Sequence, residues 1–327
     1  MRLLLDAEIQ PETVGRIRAL SPDLEVADVT GDDAFDPETL TDPDVEILVG
    51  DRAPVDLTRV PSLRWLQVSS AGVDHLAADP PWRKGLAVTN ARGVFSIPMA
   101  EYVSGMLLRV SQPSGWAVDQ AAHRWPAKSP LVSLVRGRTA VLVGYGSIGR
   151  EVARQLSAFG MRILAVKPRP DVRHDTSYRV PGTGDPDGSI PERFVGVEEL
   201  TATVGSADVV VLTLPLTDAS RGIISADVIA AMRPSSWLIN VSRGALVDER
   251  ALLDALRGGR LAGAVLDVFG EEPLPRDSPW WDAPNVIVTP HASGMSHRFF
   301  DELVVENVRR YLAGTPLLNQ VDPERGY

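Results

Sequence analysis

Three segments in the second half of this 327-residue chain carry side chains suited to chemistry. Arg243 lies in Asn240-Val241-Ser242-Arg243-Gly244. Glu272 lies between Asp267-Val268-Phe269 and Pro273-Leu274-Pro275. His291 lies in Thr289-Pro290-His291-Ala292. Each follows a short apolar run that reads as a strand. In open α/β sheets ligands sit beyond the carboxyl ends of the strands, so an arginine, a carboxylate and a histidine there can converge on one cleft. Each suits one task in hydride transfer to a 2-oxo acid. A guanidinium clamps a carboxylate with two parallel hydrogen bonds and polarises the neighbouring carbonyl. A histidine gives a proton to the nascent alcoholate, or takes it in the reverse direction. A carboxylate beside that histidine fixes its tautomer and favours the imidazolium.

A second cluster points to the other reactant. Val141-Leu142-Val143 runs into Gly144-Tyr145-Gly146-Ser147-Ile148-Gly149, a G-x-G-x-x-G turn. Ile148, Val152, Leu156 and Phe159 then recur at helical spacing, and Gly160 sits where a helix ends. Strand, glycine turn and helix together form the phosphate-binding turn of a dinucleotide fold. Gly144 permits the turn, Gly146 lets the backbone approach a pyrophosphate, and Gly149 lets helix and strand pack closely. An acid about 20 positions on normally accepts the ribose hydroxyl of NAD. Here the strand at 162–166 runs into Lys167-Pro168-Arg169-Pro170, and no acid comes before Asp171. Lys167 and Arg169 suit a 2′-phosphate, so NADP is the preferred cofactor, with NAD the alternative.

The elements that must position these groups alternate along the chain. Strands are expected at 3–5, 24–26, 45–49, 65–68 and 87–89, then at 139–143, 162–166, 208–214, 237–241, 263–268 and 285–289. The last six are the number expected of a complete doubly wound dinucleotide domain. Ser96 and Pro98 open a long helix with Tyr102, Met106 and Val110 in register. Residues 168–191, rich in Pro, Gly, Asp and Arg, read as a long surface loop. A last helix from about Ser296 repeats apolar residues at Phe300, Leu303, Val304, Val308 and Tyr311, and is expected to return to the first domain. That gives a substrate domain of 1–97 plus 296–327 and a dinucleotide-binding domain of 98–295.

Composition narrows the function classes. The net charge is −10, which offers no basic patch to nucleic acid. There is no cysteine, which removes disulfides, thiolate metal sites and cysteine nucleophiles. No run approaches the roughly 20 apolar residues of a membrane span, and the N-terminal apolar run is too short for a signal peptide, so a cytoplasmic location is expected. No His-rich or carboxylate cluster suggests a metal. The other histidines are His75, His123, His174 and His297; a packing or loop role suits His75, and His297 falls at the start of the last helix, so His291, which follows a strand, is the better candidate. Arg52, and the region near Trp281 and Met295, are candidates for the walls around a substrate tail.

Taken in order, Ser70-Ala71-Gly72-Val73-Asp74, the glycine turn, residues 240–248, Asp267 to Phe269 with Glu272 to Pro275, and Pro284-Asn285-Val286 with Thr289-Pro290-His291 resemble the D-isomer-specific 2-hydroxyacid dehydrogenase family, in particular its glyoxylate and hydroxypyruvate reductases. The resemblance implies a Rossmann-type cofactor domain, a smaller flavodoxin-like α/β substrate domain, and a cleft between them. It implies Arg243 as substrate clamp, His291 as acid/base and Glu272 as its partner. It also implies that Ala71, Gly72 and Val73 offer backbone N–H groups to the substrate carboxylate. Cofactor contacts would come from Gly144, Gly146, Ser147, Ile148, Gly149, Pro215, Ser242 and Asp267, the last facing the nicotinamide amide. Glu101 is read as structural. A homodimer through 98–125 follows from the same resemblance. Glutamate at 272 argues against the formate dehydrogenase branch, and the short stretch after the last helix argues against an added regulatory domain. Two other outputs share these motifs: a nicotinamide-responsive binding protein of the corepressor kind, and phosphite oxidation.

Overall fold

The computed structural model describes residues 1–32, 35–76, 78–112, 116–125, 132–175, 177–294, 299–322 and 324. In chain order, β1 (Arg2–Asp6), α1 (Pro11–Arg18), β2 (Glu25–Asp28), β3 (Val45–Gly50), β4 (Trp65–Gln67) and β5 (Ala87–Thr89) come first. The helices α2 (Ser96–Ser111) and α3 (Trp116–Ala121) follow. Next come β6 (Thr139–Val143), α4 (Ser147–Ala158), β7 (Arg162–Val166), β8 (Arg193–Val195), α5 (Leu200–Val204) and β9 (Val209–Leu212). The chain ends with α6 (Ala226–Ala231), β10 (Trp237–Asn240), α7 (Glu249–Arg257), β11 (Gly263–Leu266), β12 (Val286–Val288) and α8 (Phe300–Leu312). Two compact units result. The first holds Met1–Phe95, Ser177–Pro181 and Met295–Tyr327; the second holds Ser96–Thr176 and Gly182–Gly294.

The first unit is a parallel five-stranded sheet in the order β2-β1-β3-β4-β5, the flavodoxin-like doubly wound order. Its central strands are apolar on both faces, as burial under helices demands: Leu3, Leu4 and Leu5 are all buried. The apolar stripe of α8 (Phe300, Leu303, Val304, Val308) packs against Leu3, Leu5, Ile47 and Trp65. Its one buried amide, Asn307, is satisfied by Gln67 Oε1 at 2.9 Å and by the Leu318 backbone.

The second unit is a parallel seven-stranded sheet, β12-β11-β10-β9-β6-β7-β8. Counted from β6, this is the Rossmann order 3-2-1-4-5-6 with one further strand at the β12 edge. The order reverses between β6 and β9, and the glycine turn leaves β6 at that point. Behind β6, α2 lies against α4, with Ser104 Oγ donating to Gln155 Oε1 at 2.8 Å.

The structure corrects one expectation and refines another. Six strands were expected in this sheet; the seventh, β8, is missing from that reading. It is a three-residue edge strand with only Val195 fully buried, and it directly follows a Pro/Gly/Asp-rich run, so it carries no periodic signal. Residues 168–191 form the long loop expected, with no helix or strand among the described residues and mostly exposed or half-buried; within it Asp185 is buried in the second unit, and Ser177–Pro181 belongs to the first. There Tyr178 packs against the first unit's core, and its N–H donates to Asn319 Oδ1 at 3.3 Å. Gly93, at φ +90, lies so close that a Cβ would stand 2.1 Å from Tyr178 O. Smaller shifts occur at strand ends: residues 24–26 become Glu25–Asp28, and 208–214 shortens to Val209–Leu212. Ser296, the expected start of the last helix, lies outside the described residues, as do Met295 and His297.

Candidate active site

The sequence of the glycine turn explains its shape. Gly144 has φ +99, and a Cβ there would stand 2.8 Å from the Thr213 and Leu214 backbone. A Cβ on Gly149 would stand 2.5 Å from Gly144 O. Both positions therefore require glycine. The turn is tied to β9 by Thr213 Oγ1, which donates to Gly144 O at 2.9 Å. Gly146 is the N-cap of α4, and no side chain caps this helix. The first-turn N–H groups of Ser147, Ile148 and Gly149, with the helix dipole behind them, suit the pyrophosphate of a dinucleotide. Gly144 N donates to Val166 O at 2.9 Å, so the end of β7 abuts the turn, and Lys167 comes next in sequence. Arg169 is exposed just beyond it. Pro215 follows β9, and its carbonyl accepts from Ser220 Oγ at 2.8 Å.

The turn that carries Arg243 closely approaches the backbone that leads into Glu272. Ser242 is buried, with its Oγ donating to Leu212 O at 2.9 Å and its N–H donating to Asn240 Oδ1 at 3.0 Å. Asn240 Nδ2 in turn donates to Arg243 O at 2.9 Å. Nη1 of Arg243 donates to Ser242 O at 2.9 Å. A Cβ on Gly244 would stand 2.0 Å from Phe269 C, so the arginine turn lies directly on the Phe269-Gly270 backbone. Phe269 N donates to Glu272 Oε1 at 2.8 Å. The other oxygen of that carboxylate, Oε2, stands 2.8 Å from His291 Nδ1. The glutamate thus accepts a hydrogen bond from Nδ1–H and is itself oriented by a backbone donor. His291 Nε2 is left for a reacting group.

His291 is held in an uncommon conformation, with φ +53. Its N–H donates to Asp267 O at 2.8 Å. The Asp267 side chain is fully buried. Its Oδ1 accepts from Thr289 Oγ1 at 2.5 Å and from Ala292 N at 2.9 Å, and its Oδ2 accepts from Ser293 N at 2.9 Å. The side-chain bonds of Asp267, expected from the sequence as a cofactor contact, go to the turn that carries His291. Reasoning from sequence also missed Tyr102 on α2, whose OH stands 2.6 Å from Thr289 Oγ1. Burial pushes that phenol up to about 12, outweighing the Thr289 hydrogen bond. An isolated tyrosine in a helical register gave no signal for this.

In the first unit, the N–H groups of Ala71, Gly72 and Val73 donate to nothing among the described residues. The loop is fixed around them. Asp51 accepts from Ser69 N at 3.0 Å and Ser69 Oγ at 2.6 Å, and Ser70 Oγ donates to Gly72 O at 2.8 Å. His75 Nε2 stands 2.9 Å from Asp51 O, a loop role. Arg52 is at the surface, paired with Asp36 at 3.1 Å. His174 stands 3.5 Å from Asp187, and His123 is exposed. Glu101 is exposed on α2, and Trp281 is half-exposed with its Nε1 donating to Pro275 O. Among the described residues no cluster of three His, Asp or Glu could hold a metal, and no helix is long and apolar enough to cross a membrane.

A Rossmann sheet with a glycine turn at its switch point, and a His–Glu pair beyond the ends of β11 and β12, is the arrangement of a nicotinamide-dependent oxidoreductase. The chain belongs to the D-isomer specific 2-hydroxyacid dehydrogenase family, whose NAD binding domain model matches residues 104–293. It is 34% identical over 273 residues to an (S)-sulfolactate dehydrogenase of Chromohalobacter salexigens, covering 81% of this chain and 84% of that one. It is 33% identical over 272 residues to a glyoxylate reductase of Korarchaeum cryptofilum, covering 81% and 77%. A D-isomer specific 2-hydroxyacid dehydrogenase from Xanthobacter autotrophicus, solved with NADPH and MES, superimposes with a TM-score of 0.79 at 30% identity, covering 100% of this chain and 99% of that one. The protein is accordingly an NAD(P)-dependent oxidoreductase of 2-hydroxy and 2-oxo acids.

Proposed function

We propose that the chain reduces a small 2-oxo acid, such as glyoxylate, hydroxypyruvate or a pyruvate-like acid, to the D-2-hydroxy acid, with NADPH preferred over NADH. The observation that carries the reading is the 2.8 Å contact between Glu272 Oε2 and His291 Nδ1, which leaves Nε2 as the proton donor. The glycine turn supports the cofactor: two positions admit no Cβ, and the helix N-terminus beyond is uncapped. A nicotinamide dinucleotide held at the glycine turn of Gly144 to Gly149 would supply the hydride. Arg243 pairs with the substrate carboxylate and polarises the adjacent carbonyl. In the first unit, the N–H groups of Ala71, Gly72 and Val73 suit a carboxylate. His291 Nε2–H protonates the alcoholate oxygen, and Glu272 steadies the ring as it passes through its charged form.

The preference for NADPH rests on Lys167 and Arg169 standing where an acid would otherwise meet the ribose. The NADPH complex of the Xanthobacter relative is in line with it. Steady-state reduction of a 2-oxo acid panel with both cofactors tests the whole reading. Glyoxylate or hydroxypyruvate with NADPH is expected to give the highest kcat/KM; an equal or higher value with NADH overturns the cofactor preference. Arg243→Ala is expected to raise the substrate KM by about tenfold or more, the loss of one charge-assisted pair, and near-normal KM in that variant removes the clamp.

We further propose a homodimer through the region 98–125. Within it Leu108 and Trp125 leave apolar surface exposed, Trp125 at 95%, and Val132 and Leu134 do the same just beyond it.

A further inference from the structure

The stretch between β7 and β8 is irregular, yet α4 grips it from inside. Arg150, which follows the third glycine of the turn, is buried. Its Nη1 donates to Asp185 O, and its Nη2 donates to Arg173 O at 2.5 Å. Its Nε stands 3.4 Å from Asp175 Oδ2, and its Cζ lies 4.9 Å from the Tyr145 ring centroid. Tyr145, between the first two glycines, donates its OH to Asp185 Oδ2 at 2.7 Å. Asp185 then accepts from Ser189 N at 2.9 Å and Ile190 N at 3.1 Å. Buried Glu151 accepts from Gly184 N at 2.6 Å. Both arms of the loop, around 173–175 and 184–190, are thus bonded to residues in or next to the glycine turn. Burying a guanidinium is unfavourable unless its charge is met, so the bonds from Nη1 and Nη2 to the two arms, with the Asp175 carboxylate beside Nε, commit the loop to one geometry.

That geometry gathers positive charge beside the turn. Arg173 Cζ lies 5.3 Å, and Lys167 Nζ 6.0 Å, from the ring centroid of Phe194 on β8. Phe194 is itself edge-on to Tyr145, with centroids 5.2 Å apart. Lys167 Nζ donates to Val172 O at 2.6 Å. Two cations converging on one aromatic ring repel each other, and a dianion placed between them removes that repulsion. Arg173 is exposed and Lys167 half-buried, so both can meet a ligand.

We propose that Arg173 is a further determinant of cofactor choice, joining Lys167 in a seat for the 2′-phosphate, and that Arg150 is the positioning residue that holds Arg173 there through the Asp185–Tyr145 lock. The inference rests on the preference for NADP(H) given above. It predicts that discrimination between cofactors depends on residues that touch neither phosphate nor ribose.

Calorimetric titration of the full chain with 2′,5′-ADP and with 5′-AMP tests it, since the two fragments differ only in the 2′-phosphate. The wild-type chain is expected to bind 2′,5′-ADP more tightly. Arg173→Ala is expected to weaken 2′,5′-ADP about tenfold or more, as the loss of a bond to a charged group does, while 5′-AMP stays within twofold. Arg150→Met and the milder Tyr145→Phe, which only removes the hydroxyl, are expected to reduce the ratio of the two affinities in the same direction. Equal weakening of both fragments, or of neither, in Arg173→Ala overturns the assignment of Arg173. An unchanged ratio in Tyr145→Phe and in folded Arg150→Met overturns the positioning role, and the Tyr145→Phe ratio decides it alone where Arg150→Met does not fold. A wild-type chain that binds 5′-AMP as tightly as 2′,5′-ADP instead overturns the preference for NADP(H), and this inference with it.

Discussion

At the residue scale, the site is built by backbone constraints on a few polar side chains. His291 sits at φ +53, a conformation costing of order 1–3 kcal/mol for a non-glycine residue. It is held there by bonds from its own N–H and from Thr289, Ala292 and Ser293 to Asp267. The carboxylate of Asp267 is acceptor-only, and all three of its side-chain partners donate. Asp267→Asn puts an NH2 against at least one of those donors, so the turn must shift. We expect kcat to fall about tenfold or more in this variant, with folding retained, because a misplaced acid/base is costly even at small displacement. His291→Ala is expected to lower kcat by roughly 10²–10⁴-fold with a much smaller change in substrate KM. Single-turnover and steady-state rates with a 2-oxo acid check both. A His291→Ala variant with unchanged turnover takes the acid/base role away from this residue.

At the element scale, the loop between β7 and β8 and the helix α4 make one cooperative piece. Burial alone raises the Asp185 carboxyl, but hydrogen bonds from Tyr145, Ser189 and Ile190 outweigh it and hold the group below the usual carboxylate range. A carboxyl depressed in the folded state contributes stability that is present above its unfolded value, near 3.9, and lost as pH falls through the lower folded value. The urea midpoint of the wild-type chain should therefore exceed that of Asp185→Asn at pH 7, and the gap should narrow progressively below about pH 5. A gap independent of pH shows that Asp185 contributes nothing as an anion. Gly149→Ala is the matching backbone test. Its Cβ meets Gly144 O at 2.5 Å, so helix and strand must separate, at a cost of about 1–3 kcal/mol, and cofactor affinity should fall with stability.

The same elements show what could be read from the sequence. Strands 87–89, 139–143 and 162–166 were legible to the residue, because uninterrupted apolar, β-branched runs bounded by Gly, Asn or Lys have one reading in a parallel sheet. Glu272 and His291 were legible as neighbours because strand-end positions in a doubly wound sheet share one side. The edge strand β8 was not, since three residues give no period. Nor was the Arg150, Asp185 and Tyr145 lock, in which an arginine on a helix and an aspartate in a Pro/Gly-rich run each read as ordinary surface. The burial of such polar groups depends on partners about 35–40 positions away, which no local pattern encodes.

At the scale of the whole molecule, the proposed homodimer carries the last prediction. Scattered exposed apolar residues need no explanation, but a cluster does. Of the large apolar side chains left exposed among the described residues, Leu108, Trp125, Val132 and Leu134 fall between positions 108 and 134, whereas Met1, Val55, Val172 and Trp281 lie elsewhere. A tryptophan that is 95% exposed loses favourable transfer energy of about 2–3 kcal/mol relative to a buried one, which is substantial against a net stability of about 5–15 kcal/mol. A symmetric interface recovers that term on both subunits at once. Sedimentation at micromolar concentration should therefore give twice the chain mass of 35.3 kDa. Trp125→Asp combined with Leu134→Asp should shift the species toward monomer, because two buried charges face their own copies across the axis. Val55→Asp, which also removes an exposed apolar group, should leave the dimer intact. A wild-type chain that sediments as a monomer, or a double variant that stays dimeric, overturns the assignment of this surface. If the apolar cluster is the interface, dimer dissociation and thermal unfolding will move together with protein concentration, since the exposed tryptophan is then part of the folded state's own stability.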